Sequence, residues 1–216
     1  MNREIVEAIA KEYKKGRRLW IGTTNLDAKR PVIWNIGLIA SSGRPGALDL
    51  IHKIILASAS IPAFFPPVLI EVEADGKVYD EIHVDGGAAS QVFLYPADVH
   101  WKLVIQSFEV QGAPKVYVVR NSRLKPDWET VRPKIFPIAG VSISSLIRTQ
   151  GIGDMYRIYL DCQRDGIDYN LAYIPDDFDL KPKEEFDPAY MGRLFERGYQ
   201  LAKDGYPWVK APPGFE

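Results

Sequence analysis

Cysteine is nearly missing from this chain: Cys162 is the only one in 216 residues, so no disulfide forms within it. A lone thiol points to neither an oxidising nor a reducing compartment, and cytoplasmic and exported settings stay equally open. An excess of one charge is also lacking. The 27 Lys and Arg stand against 28 Asp and Glu, a formal charge of −1, which offers nucleic acid no net attraction. No uninterrupted apolar run reaches the roughly 18 residues of a membrane-spanning helix. Residues 1–16 are charged and lack the apolar centre of a secretory signal. As given, the chain is expected to be soluble. Repeats and low-complexity tracts are missing too, and Gly151-Ile-Gly153 lacks the third glycine and the preceding strand of a dinucleotide loop. No cofactor is implied.

What is present is 46% hydrophobic residues, enough for a sizeable core. Ile5, Val6, Ile9, Ala10 and Tyr13 recur at helical spacing and predict an amphipathic helix over 2–15, closed by Gly16. Lys11, Lys14, Lys15, Arg17 and Arg18 suit the negative pole at its end and read as a solvated face. The same cations offer a peripheral contact to lipid phosphates. Strands are expected at 19–24 and 32–40, paired as a hairpin. After Pro45 a helix carries Leu48, Leu50, Ile51, Ile54, Ile55 and Leu56 around most of its circumference, and is expected to be buried. Strands at 68–73 and 77–84 flank the tight turn Ala74-Asp75-Gly76. Further on come a buried strand at 115–121, a loop at 124–137 and a long helix over 138–165, broken near Gly151 and Gly153. Cys162 falls on the inner stripe of that helix and reads as core. A strand at 168–174 precedes a last helix, opened by Asp187-Pro188, with Met191, Leu194, Phe195, Gly198 and Leu201 facing inward. Strands and helices mix along the whole length, which predicts an α/β fold: one domain over 1–205 and an extended tail over 206–216.

The chemistry concentrates between residues 57 and 88. Pro62 forces Ile61 out of the helical region, so the helix ends near Ser60 and a stiff aromatic loop follows. A hairpin then rises to Asp85, and Gly86 and Gly87 let backbone pack close behind the carboxylate. Asp-Gly also occurs at 75, 165 and 204, where it reads as a turn or helix stop. The second glycine and the Ser-Ile-Pro loop set Asp85 apart. Glu81, His83 and Asp85 alternate on one strand face, a spacing that invites a metal. The plainer reading is the polar face of an edge strand, and neither His52 nor His100 has a reason to converge on them, so no metal is assigned. Phe64 and Phe65, beside Pro66 and Pro67, either line an acyl-chain pocket or simply pack a stiff loop.

Ala57-Ser-Ala-Ser-Ile-Pro-Ala-Phe64 resembles the A-S-x-x-x-P-x-x-F block of the patatin-like lipid acyl hydrolases, and Asp85-Gly86-Gly87 resembles that family's D-G-[AG] block. Arg18-Leu-Trp-Ile-Gly-Thr-Thr-Asn-Leu26 and Val32-Ile-Trp-Asn-Ile-Gly37 are similar to the strands that precede those blocks in bacterial members. The resemblance spans about residues 3–96. It implies a three-layer α/β/α fold and hydrolysis of lipid or other acyl esters by a serine–aspartate dyad, with Asp85 as general base. It also implies an active-site loop of Ser58, Pro62, Gly86 and Gly87, with Phe64 and Phe65 at the acyl pocket. The family's nucleophile sits on a G-x-S-x-G elbow preceding these blocks, and no such motif occurs in this sequence. Gly140-Val-Ser142 lacks the second glycine and follows Asp85. The resemblance therefore implies the C-terminal part of such a domain, incomplete at its N-terminal side and inactive until an upstream segment or a partner supplies the serine. An uncovered sheet edge, a partly bare core helix and self-association are expected in consequence. Two other readings stand beside this one: a non-catalytic relative that binds lipid or protein, and a metal-dependent hydrolase built on Glu81, His83 and Asp85.

Overall fold

The computed structural model describes residues 2–62, 64–94, 112–125, 128, 130–184 and 186–215. The architecture is mixed α/β, and the chain divides into two compact units: Met1–Phe93 with Pro133–Gly151, and Leu94–Arg132 with Ile152–Glu216. The sequence holds no linker at these boundaries because the first unit is discontinuous. The chain leaves it and returns.

In the first unit, α1 (Arg3–Lys14) starts on Asn2, whose side chain accepts a hydrogen bond from Ile5 N at 3.1 Å, as an N-cap residue does. Strands β1 (Trp20–Asn25) and β2 (Arg30–Asn35) form the expected hairpin, but β2 is shorter than its apolar pattern suggested. The Asn35 side chain accepts from Leu38 N at 2.9 Å and opens a short helix, α2 (Ile36–Ser41). A local cap overrides an apolar run that reads as strand. Gly37 is required there, because a Cβ would lie 2.3 Å from the Tyr13 ring of α1.

Helix α3 (Ala47–Ser58) packs across β1, β4 (Lys77–Asp85) and β3 (Val68–Ala74). It buries Ile51, Ile54 and Ala57 but leaves Ile55 and Leu56 exposed, the latter at 61%. It is thus covered on one side rather than all round. The sheet order is β2-β1-β4-β3, antiparallel throughout. The β3–β4 turn places Asp75 and Gly76 at φ 52° and 72°, the pair of positive values that a two-residue type I′ turn needs. Val6, Ile36, Ile51, Ile54 and Ile70 form the core, with Ile9, Trp34 and Leu48 against them.

Helix α4 (Ile135–Asp165) starts three residues before the sequence pattern suggested and runs unbroken through Gly151 and Gly153. Pro137 falls in its first turn, where the lost amide costs nothing. Its first half belongs to the first unit and its second half to the second.

In the second unit, β5 (Lys115–Arg120) and β6 (Asp168–Tyr173) pair in parallel, and Leu171 bridges back to Val209. Met155, Ile158, Cys162, Ile167, Tyr169 and Leu171 are buried. Strand β5 is half-buried rather than fully so, with Tyr117 and Val119 exposed. Helix α5 (Pro188–Lys203) is capped by Asp187, whose Oδ1 accepts from Ala189 N and Tyr190 N. Its expected inner stripe is not buried: Met191 and Phe195 are exposed and Leu194 only half-covered. The C-terminal stretch instead packs back, through Tyr156 Oη donating to Pro213 O at 2.8 Å and Lys210 pairing with Asp168 at 2.8 Å. It is part of the unit and no free tail.

Candidate active site

Asp85 ends β4, where β1 is its neighbour: Thr23 lies opposite Asp85 and Thr24 opposite Val84. The amide of Asp85 donates to Ser60 O at 2.9 Å, so the strand end is tied by backbone to the loop that follows α3. The Asp85 Oδ1 accepts from Gly87 N at 2.7 Å, which turns the chain into a 3₁₀ turn over Gly86–Ala88. Thr24 Oγ1 donates to Asp85 O at 3.0 Å. Among the described residues, Gly87 N is the one hydrogen-bond donor to the carboxylate, and Oδ2 has none.

Of the two glycines behind the carboxylate, Gly86 is sterically required by backbone, and Gly87 leaves room for the Asp85 carboxylate itself. A Cβ on Gly86 would stand 2.6 Å from Gly22 O, a backbone atom of β1, and a Cβ on Gly87 would stand 2.9 Å from Asp85 Oδ1. Neither position needs a positive φ, so close approach is the reason for glycine here. On the far side of the turn, the Gln150 amide of α4 donates to Ala89 O.

Ser58 and Ser60 hold the end of α3. Their hydroxyls donate to Ile55 O and Leu56 O, each at 2.8 Å. Pro62 is half-buried beyond them, and Phe64 and Phe65 stand out at the surface, 56% and 42% exposed. An open depression of about 860 Å³ lies between α2, α3 and β3, lined by Leu38, Leu50, Lys53 and Ile70, and does not include Asp85.

His83 is the residue that pattern reading missed. Alternation placed it on a polar face with Glu81 and Asp85, yet it is fully buried. Its Nδ1 lies 2.9 Å from Thr23 Oγ1 and its Nε2 lies 3.2 Å from Glu81 Oε2. The Trp34 indole donates to the same Thr23 Oγ1 at 2.8 Å, and the two rings lie 5.6 Å apart. Thr23 Oγ1 thus accepts from Trp34 and shares a second hydrogen bond with His83 Nδ1, whose direction follows the tautomer of the ring. Both nitrogens are used within the protein, and no three His, Cys, Asp or Glu side chains converge among the described residues. The strand-face spacing of Glu81, His83 and Asp85 therefore does not assemble a metal centre here. His52 takes no part, and His100 lies outside the described residues. Two adjacent buried threonines in β1 were the available signal for a polar network.

No protein-family model matches the chain, and no curated protein matches it at a significant level. The site therefore rests on its own geometry: one carboxylate at a strand end, one of its oxygens held by backbone, and a serine-rich helix end fastened beside it.

Proposed function

We propose that this chain supplies the base-bearing part of a patatin-like serine acyl hydrolase of three-layer α/β/α fold, working with a serine on a segment not contained in these residues. The observation that carries the reading is the Asp85 carboxylate. Oδ1 is fixed by Gly87 N while Oδ2 has no hydrogen-bond partner among the described residues. That leaves an acceptor aimed by its neighbour and open to a hydroxyl. In the proposed reaction Asp85 takes the serine proton as the serine oxygen attacks the ester carbonyl. The proton passes to the departing alcohol and an acyl-enzyme remains. Water, deprotonated by the same carboxylate, then releases the fatty acid and returns the proton to serine. Phe64 and Phe65 contribute an apolar wall for the acyl chain.

The test is to translate the DNA upstream of Met1 and, where it encodes a G-x-S-x-G segment, to express it with this chain. The combined protein is expected to hydrolyse a short-chain nitrophenyl ester and to label with a fluorophosphonate, and the present chain alone is expected to do neither. Asp85→Asn in the combined protein should lower turnover by about 10²–10⁴-fold. Unchanged turnover removes Asp85 from the mechanism. A second reading, a non-catalytic lipid- or protein-binding relative, draws support from the exposed apolar residues Phe64, Phe65 and Leu56. It is distinguished by binding without turnover even when the serine segment is present.

A further inference from the structure

The first half of α4 combines three properties along one continuous helix. It is apolar, exposed and free of acid. From 130 to 153 the sequence has no Asp or Glu and three cations, Arg132, Lys134 and Arg148, in a chain whose overall charge is −1. Ile135 and Phe136 are 82% and 87% exposed, and Leu146 is 71% exposed. At 3.6 residues per turn, Ile135, Phe136, Ala139, Ile143 and Leu146 fall within an arc of about 100°. Lys134 and the positive pole of the helix lie at the start of that stripe.

We propose that this stripe is a docking surface for an anionic lipid bilayer, with α4 lying in the interface and its apolar side chains entering the acyl boundary. Charge decides between the occupants. A second copy meeting the stripe face to face, parallel or antiparallel, would set cations against cations, with no carboxylate between 130 and 153 of either copy to offset them. Lipid phosphates supply that complement while the acyl region takes Ile135, Phe136 and Leu146. The helix is long and apolar enough by composition to cross a membrane, but only its first half is available. The second half carries Asp154, Arg157, Asp161 and Arg164 and buries Met155, Ile158 and Cys162. Residues 135–146 extend about 18 Å, short of the ~30 Å of a hydrocarbon core. The basic end of α1 is a weaker candidate, since Glu12 pairs with Lys15 and Arg17, and Arg18 lies over the Tyr13 ring. The proposal is independent of the role given to Asp85.

The experiment is co-sedimentation of the full chain with phosphatidylcholine vesicles, with and without phosphatidylglycerol. Binding is expected with phosphatidylglycerol, weakening as salt rises. Phe136→Ser should weaken partitioning by about tenfold or more, and Lys134→Glu by more than about fivefold. Phe195→Ser, on the exposed face of α5, should leave it unchanged. Phe136→Cys, labelled with an environment-sensitive dye while buried Cys162 stays unreactive, gives a second readout: a blue shift on anionic vesicles. No binding to anionic vesicles, equal binding by the Phe136→Ser variant, or no dye shift would overturn the proposal. So would an α4 variant that dissolves a dimer in solution while vesicle binding is absent.

Discussion

Gly86 shows how a single residue fixes the site. With Gly22 O only 2.6 Å from where its Cβ would be, Gly86→Ala must push the D-G-G turn away from β1. A loss of about 1–3 kcal/mol in denaturant unfolding is expected, as for overpacking in general. Gly140→Ala, on α4 with open space around it, should instead gain up to about 1 kcal/mol. An equal response at both positions would remove the close-approach account. Thr23 bonds two side chains at once, and Thr23→Val leaves the Trp34 indole and the His83 ring without their common partner. Equilibrium unfolding should show a loss of about 2–3 kcal/mol, with Thr23→Ser recovering much of it. Asp85-Gly-Gly was legible in the sequence because glycine pairs and a strand end are local. The burial of His83 was not, because its partners come from β1 and β2, far away along the chain.

At the level of elements, local punctuation was read well and faces less well. The Asp187 cap and the Asp75-Gly76 turn fell where the residue types demanded, while Asn2, expected inside α1, caps it instead. The helix at Ile36 was missed because Asn35 can end a strand as readily as continue it, and only the hydrogen bond to Leu38 N decides. Helix α5 gives a pH test. The amides of Lys183, Tyr190 and Ala189 hold the Asp187 carboxyl below the usual carboxylate range. A lowered value contributes stability above the ordinary pKa of 3.8 that is lost as pH falls through the folded value. Asp187→Ala should therefore melt at a lower temperature than the parent at neutral pH, and the gap should narrow below pH 3.8. A gap that stays constant into acid would show that charge at the cap is irrelevant. The sheet edges differ in their devices: β2 carries Pro31, which blunts pairing, whereas β3 relies on exposed Glu71 and Glu73 beside exposed Leu69.

For the whole molecule, an α/β fold followed from the mixture of patterns, but its division did not. A discontinuous unit leaves no compositional seam, and α4 passes from one unit to the other without a break. Exposed Leu56 and Ile55 on α3 and the outer edge of β3, unpaired among the described residues, point to association. Static light scattering is expected to give a mass above the 24.4 kDa of one chain, rising with concentration, and Leu56→Ser should lower it. A monomer at high concentration contradicts this.

The tie between the Asp85 amide and the Ser60 carbonyl is made by main-chain atoms alone. Mutational drift in the aromatic loop can therefore rewrite its side chains while the carboxylate stays where it is. The lining of the loop is free to vary. The position of the acid is inherited with the backbone.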